Sequence, residues 1–493
     1  MERTSEPDDF STDILALLNG LRPRDDNTNV YTPLHVVNRM LDILPREIWK
    51  SKEIKFLDPV CKSGVFLREI AKRLVCEQIK SDGKKLKGQD RLPYIQHVLK
   101  NQIFGIALSE EAGKVSRRTV YASQRADSKF SLGEGLFASS EGNIRYAPCD
   151  GEGEKASYPF LEKSIREIFG EEMKFDVIIG NPPYQMNVGI QQKSHAIPIF
   201  QNFIEKAKQL NSRFVEMIIP SRWFSGGRGL DEFRDKMLKD RRICILHDFL
   251  DGSECFSDVE IKGGVCYFLW DRNYNGKCFI YTHNGKEIKE SYRYLLEDTQ
   301  DIFIRYPQGV SIVQKVLNFD ETSFATIVSP QTPFGLYSSF NSWQSSKTTS
   351  SIKLYANKKT GFIDNSSIQK NRQWIDQWKL YVPKAIGSGN MQTDVIKPII
   401  GEKMSACTQT YIMYGPFKTK TECENVISYV STKFFHFLVG LRKNTQDALS
   451  KVYRFVPLQD FSKPWTDAEL YKKYNLTEKE IAFIEKMIHP MEH

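Results

Sequence analysis

The sequence predicts an α/β fold: a doubly wound, mostly parallel sheet followed by a C-terminal mixed α/β domain. Three observations carry that prediction. From residue 30 to about 270, short apolar runs alternate with stretches of helical periodicity, the pattern of parallel strands joined by crossover helices. Two of the runs end in rigid turns, Asp58-Pro59-Val60-Cys61-Lys62-Ser63-Gly64 and Asn181-Pro182-Pro183-Tyr184. Beyond about 285 the alternation fades and a basic, aromatic stretch begins.

Taken in order, Thr12 to Leu21 reads as a short helix followed by a polar loop. Val30-Tyr31-Thr32-Pro33 then opens a helix marked by Val36, Val37, Met40, Leu41 and Leu44, with Thr32 as N-cap and Pro33 as first helical residue. Ile54 to Leu57 is a strand, the 58–64 turn follows, and a helix runs from Val65 to Ile79. Lys- and Gly-rich residues 80–90 form a loop, Ile103 to Leu108 the next strand, and Ser109 to Ala122 its helix. Residues 126–158 lack periodicity; a helix at 159–169 precedes the apolar run Phe175-Asp176-Val177-Ile178-Ile179-Gly180. After the Asn-Pro-Pro-Tyr turn come a helix (197–210), a strand (Phe214 to Ile219), a helix (229–239) and strands at 243–250 and 263–270. Near the C-terminus, Thr466-Asp467-Ala468-Glu469 and Thr477-Glu478-Lys479-Glu480 read as helix starts with capping boxes.

Length and composition bound the rest. At 493 residues the chain holds two or three domains; the expected division is 1–285, 286–460 and a helical tail, 461–493. Forty per cent apolar and 26% charged residues describe a globular protein. None of the nine cysteines forms a CxxC pair, which argues against a zinc ribbon and for reduced thiols in a cytoplasmic chain. No apolar run approaches the roughly 20 residues of a membrane span, and the polar, acidic first ten residues do not resemble a signal peptide.

The 181–184 turn has a specific chemistry. Its prolines remove two backbone donors and fix φ near −65°, and the residue before each is held extended. The result is rigid and rich in acceptors, with one aromatic ring attached. It suits a planar group bearing an NH2, whose N–H bonds need acceptors and whose ring needs a face. Adenine, cytosine, guanine and glutamine all satisfy that description. The 58–64 turn offers a carboxylate at its entrance and a helix N-terminus beyond, a place for an amino group and for an anion.

Together the two turns resemble those of the DNA adenine-N6 methyltransferases of restriction–modification systems. The resemblance covers residues 30 to about 272. It rests on Tyr31-Thr32-Pro33, on Asp58-Pro59-Val60-Cys61-Lys62-Ser63-Gly64-Val65-Phe66-Leu67, on Asn181-Pro182-Pro183-Tyr184, on Ile219-Pro220-Ser221-Arg222-Trp223-Phe224, and on Cys255-Phe256 followed by Gly263-Gly264-Val265-Cys266-Tyr267-Phe268. Their order is similar to that of the gamma class. The resemblance implies a Rossmann-like methyltransferase sheet and S-adenosyl-L-methionine as cofactor, held by Tyr31, Thr32, Pro33, Asp58, Pro59, Cys61, Gly64, Phe66, Ala107 and Asn181. It implies that Asn181 and Pro182 accept from the target amine, and that Tyr184 and Phe256 stack on a base flipped from double-stranded DNA. No metal is expected. Two positions depart from the family. Lys62 stands where its first glycine usually lies, and Ala107 where an acid usually meets the ribose hydroxyls.

Residues 321–400 carry 8 Lys and 1 Arg against 4 Asp/Glu, a net of +5, together with Phe334, Tyr337, Phe340, Trp343, Trp374 and Trp378. Behind a catalytic domain, this composition fits a target-recognition domain, with amides and aromatics for base edges and lysines for phosphates. Arg222, Arg228, Lys358, Lys359, Arg372 and Trp374 are the candidate DNA contacts. A separate nuclease or helicase chain is an expected partner. The alternatives are an RNA guanine-N2 or protein glutamine methyltransferase, and a DNA-binding subunit without turnover.

Overall fold

A computed structural model describes residues 31–149, 158–186, 197–226, 229–297, 300–346, 351–357, 359–387, 391–392, 394–443 and 446–489. The helix expected at 12–21 lies outside them. The chain divides into two compact units, Met1–Trp223 with Gly227–Leu295, and Phe224–Gly226 with Leu296–His493.

The first unit opens with helix α1 (Leu34–Ile43), whose Val36, Val37, Met40 and Leu41 are buried at helical spacing. Its N-cap is Pro33, with no side-chain capping bond; Thr32, expected to cap it, is used elsewhere. Strand β1 (Phe56–Cys61) and helix α2 (Val65–Ser81) follow. Helix α3 (Leu92–Asn101), in a stretch the pattern left unassigned, buries only Val98 and Leu99. Next come β2 (Ile103–Ala107), α4 (Glu110–Tyr121) and a short β3 (Ile144–Arg145). The helix expected at 159–169 is two pieces, α5 (Pro159–Glu162) and α6 (Ile165–Phe169), because Lys163 is extended and Ser164 starts a new helix with a capping box. Then come β4 (Val177–Gly180), β5 (Gln185–Met186), β6 (Ile197–Pro198), α7 (Phe200–Gln209), β7 (Phe214–Pro220), α8 (Asp231–Lys239), β8 (Ile243–Phe249), β9 (Val265–Asp271), β10 (Cys278–Asn284) and β11 (Glu287–Arg293).

Among the described residues, nine of these strands form one sheet in the order β11-β10-β8-β9-β7-β4-β1-β2-β3. β4, β1, β2 and β7 are mutually parallel through their neighbours, as the alternation predicts. β9 inserts antiparallel between β7 and β8. The β10–β11 hairpin, unread in the sequence, extends the sheet by pairing β10 parallel to β8. One face packs on α1 to α4 through Val36, Met40, Leu67, Ile70, Leu74, Val98 and Val120. Alternate strand residues point the other way, where α7 buries Phe200, Phe203 and Ile204.

The second unit holds helices α9 (Pro307–Leu317), α10 (Lys420–Val430), α11 (Lys433–Gly440), α12 (Asp467–Lys473) and α13 (Glu478–Met487). Strands β12 (Ile352–Ala356), β13 (Lys359–Ile363) and β16 (Ser405–Cys407) form one small sheet; β14 (Trp378–Pro383), β15 (Ile399–Gly401) and β17 (Tyr411–Phe417) form another. β14 and β17 divide their side chains between two cores by strand alternation. Leu380, Val382, Ile412 and Tyr414 join the helical core, whereas Tyr381 and Met413 join Phe334, Ile352 and Leu354. The helices after 465 share the first of these cores through Leu470, Tyr471, Phe483 and Ile484. Both start at the capping boxes read from the sequence, Thr466 with Glu469 and Thr477 with Glu480.

On the first unit's sheet, His247 stacks between Tyr267 and Tyr281, with ring centroids 4.7 and 4.5 Å away. Its Nδ1 lies 3.0 Å from His283 Nε2. Burial, then the neighbouring His283, holds the His247 imidazole down at about 3. In the unfolded chain the same ring titrates near 6.5. Between those values the unfolded state binds a proton that the folded state refuses, so stability falls as pH drops below about 6.5. Denaturant midpoints at pH 7.5 and 5 are expected to show a loss of about 1–2 kcal/mol from this group. The pH dependence should flatten in His247→Gln.

Candidate active site

The two distinctive turns meet because β1 and β4 are parallel neighbours, with Phe56 opposite Val177 and Leu57 opposite Ile178. Each chain segment therefore leaves the sheet at the same edge, where open α/β sheets bind ligands. β1 continues further than its apolar run, to Cys61, with an irregular register against β2 between Asp58 and Cys61. Asp58 is 3% exposed. Its Oδ1 accepts from the Val60 N–H at 3.0 Å. Gly180, at the end of β4, makes room for it: a Cβ there would stand 2.9 Å from Asp58 Oδ1.

Gly64 caps α2 in the left-handed region, φ 75°, which glycine alone adopts without strain. It is also pressed against α4, since a Cβ would approach the Ser116 carbonyl to 2.8 Å. Cys61 Sγ donates to Ser116 Oγ at 3.0 Å, and that hydroxyl donates to the Lys62 carbonyl at 3.2 Å. The turn is thus clamped from behind.

From the other side comes Asn181, 5% exposed. Its Nδ2 donates to Thr32 Oγ1 at 3.1 Å. The residue expected to cap α1 instead orients the amide of the Asn-Pro-Pro-Tyr turn, 149 residues away. The outcome is a cavity lined by Tyr31, Thr32, Asp58, Val60, Lys62, Ser63, Gly64, Val65, Phe66 and Asn181.

Its electrostatics are those of a dry site. Burial pushes the Asp58 carboxyl up to about 7, partly offset by the Val60 N–H and by Lys62. Burial pulls the Lys62 ammonium down to about 8, partly offset by Asp58. Tyr184, three residues beyond Asn181, is half-buried. Its hydroxyl is shielded, has no hydrogen-bond partner among the described residues, and is driven well above its ordinary range by burial.

Of the residues read as cofactor contacts, Tyr31, Thr32, Asp58, Gly64, Phe66 and Asn181 line the cavity. Pro33, Pro59, Cys61 and Ala107 are not in that lining. Pro33 caps α1, Cys61 belongs to the clamp, and Ala107 is fully buried at the end of β2. Glu110, beyond Ala107, pairs with Lys114 at 2.9 Å on the helix surface. Four lining residues were not among the expected contacts: Val60, Lys62, Ser63 and Val65, all in or beside the same turn.

Tyr184 and Phe256 do meet, with centroids 6.5 Å apart, but edge to face at 78°. Rings enclosing a base would lie parallel and about 7 Å apart. Phe256 is 3% exposed and part of the core. Among the candidate DNA contacts, Arg228 and Lys358 lie outside the described residues. Arg222 is half-buried, and burial lowers its guanidinium. Lys359 and Arg372 are exposed. Trp374 packs on the Phe334 core and presents its carbonyl to Lys379 at 2.8 Å. Of the aromatics in that region, Tyr337 is 60% exposed.

Residues 101–256 match the family model of the Eco57I restriction-modification methylase. An uncharacterized adenine-specific methylase of Mycoplasma pneumoniae is 33% identical over 349 residues, 59% of this chain and 80% of that protein. The chain belongs to the adenine-specific methylases. A nuclease-deletion mutant of the Type ISP restriction-modification enzyme LlaGI, solved in complex with a DNA substrate mimic, superimposes with a TM-score of 0.50 at 12% identity, covering 85% of this chain and 45% of that one. The methyltransferase subunit of a type I restriction-modification system from Streptococcus thermophilus gives a TM-score of 0.36 at 13% identity, with 60% and 55% coverage. The methylase spans about half the length of these solved chains.

The cleft of this methylase fits a methyl donor. Its groups are a carboxylate, an ammonium and a helix N-terminus, and Gly180 leaves the space that the Asp58 carboxylate takes. The Thr32–Asn181 bond makes a checkable claim. Thr32→Ala should lower the methyl-transfer rate by roughly 10-fold, the worth of one positioning hydrogen bond, with little change in melting temperature. Thr32→Ser should retain most of the rate. An unaltered rate in Thr32→Ala would show that the bond has no positioning role.

Proposed function

We propose that the chain transfers a methyl group from S-adenosylmethionine to N6 of an adenine flipped out of double-stranded DNA, as the modification component of a restriction–modification system. The observation that carries this reading is the Asn181 amide, bonded to Thr32 in the wall of the cavity that Asp58 and Gly64 also line. The bound cofactor supplies an electrophilic sulfonium methyl. Everything else falls to the chain's own groups.

Adenine's exocyclic amine is a weak nucleophile because its lone pair is delocalised into the ring. Asn181 Oδ1 and the Pro182 carbonyl each accept one of its N–H bonds. Two acceptors so arranged favour a pyramidal nitrogen whose lone pair is directed out of the ring plane. The rest is proximity and preorganised polarity in a water-poor cleft. The nitrogen bonds to the methyl as the carbon–sulfur bond breaks, and the proton it then carries in excess passes to solvent afterwards, so no general base is needed beside it. Tyr184 offers the stacking face for a base that must leave the duplex to reach the turn.

Phe256 takes the second face only after a change in ring orientation. Tyr31, Asp58, Gly64 and Phe66 hold the donor. The second unit reads the target sequence, with Tyr337, Lys359 and Arg372 as exposed contacts. A nuclease or helicase chain completes the system. Among the described residues no helix is long and apolar enough to cross a membrane.

The test is product identification. Labelled S-adenosylmethionine is incubated with the protein and duplex DNA, RNA or protein, and the modified unit is isolated. N6-methyladenine in DNA is expected, and Asn181→Ala should abolish it while leaving DNA binding largely intact. Label confined to guanine or glutamine would overturn the proposal.

A further inference from the structure

We propose that Lys62 is a cofactor-selectivity residue: from the cavity wall that it shares with Asp58, its ammonium binds the α-carboxylate of the cofactor's methionine portion. The inference rests on the proposed use of S-adenosylmethionine and deepens it. It starts from a departure: the position that the family usually leaves to glycine carries a lysine.

That lysine is half-buried. It lines the same cavity as Asp58, Ser63, Gly64 and Asn181. Burial lowers its ammonium to about 8 and raises the Asp58 carboxyl to about 7, and each partly reverses the other's shift. Lys62 and Asp58 thus place opposite charges in the wall of one cavity. A lone buried carboxylate would select a cation. A carboxylate with an ammonium beside it selects a zwitterion, because each charge that enters meets its opposite and no net charge is buried. An amino-acid terminus, carrying one ammonium and one carboxylate, is that zwitterion. The amides at the start of α2, behind Gly64, favour the carboxylate on the same side. An adenosine compound lacking the amino acid gains nothing from Lys62.

The experiment is calorimetric titration of the full chain at pH 7.5 with S-adenosylhomocysteine and with 5′-methylthioadenosine. Unaltered protein, Lys62→Met and Lys62→Arg are compared. Lys62→Met should weaken S-adenosylhomocysteine binding by roughly 10- to 100-fold, the effect of losing a hydrogen bond to a charged group, and leave 5′-methylthioadenosine binding unchanged. Lys62→Arg should keep most of the affinity. Equal or tighter binding of S-adenosylhomocysteine by Lys62→Met would overturn the inference, since the lysine would then only obstruct the cleft. Equal weakening of both ligands would also overturn it. Failure of the unaltered chain to bind S-adenosylhomocysteine would overturn the cofactor assignment itself along with this inference.

Discussion

The parallel pairing of β1 with β4 is the constraint on which the rest depends. Two turns separated by more than a hundred residues become neighbours because their strands run the same way and sit side by side. Had either strand been reversed, Asp58 and Asn181 would lie at opposite edges of the sheet. The pairing also explains Gly180. Its hydrogen leaves the space that the neighbouring Asp58 carboxylate occupies, so one small residue sets how closely the turns approach. The Thr32–Asn181 bond then draws a third segment, the entrance to α1, to the same edge.

A cleft made this way is dry, and its polar groups behave accordingly. Asp58 and Lys62 are each displaced toward neutrality by burial, and each is held back by the other. The Tyr184 hydroxyl is shielded from solvent. Groups with perturbed ionisation gathered in a cleft mark functional sites. Here they gather at the carboxyl end of the central strands, where the fold alone would place a ligand. The clamp formed by Cys61, Ser116 and the Lys62 carbonyl holds the turn from behind, the preorganisation that the proposed displacement calls for.

Much of this was legible in the sequence, and the reasons differ by element. The central strands and α1, α2, α4, α7 and α8 announce themselves because burial on one face imposes a period. α3 does not, because only two of its residues are buried. β11 is exposed at every second residue or more, and with β10 it carries too little pattern to be read. The site turns were legible because prolines, glycine and a carboxylate in sequence restrict what a chain can do. The role of Thr32 was not: a Thr-Pro pair before an apolar periodicity reads as a local cap, and nothing local reveals a partner 149 residues away. Phe256 and Trp374 show the same limit in reverse. An aromatic residue in a motif or a basic stretch shows its neighbours only in the structure: Phe256 packs in the core edge-on to Tyr184, and Trp374 lies half-buried against the Phe334 core.

The central claim is that one cleft holds the methyl donor and the target amine on opposite sides of Asn181. The most direct measurement is a structure of the protein with S-adenosylhomocysteine and a cognate DNA duplex. The amino-acid end of the ligand is expected between Asp58 and Lys62, with a flipped adenine whose N6 lies within hydrogen-bonding distance of Asn181 Oδ1 and the Pro182 carbonyl. An adenine seated elsewhere, or a ligand bound away from the 58–64 turn, would contradict that claim.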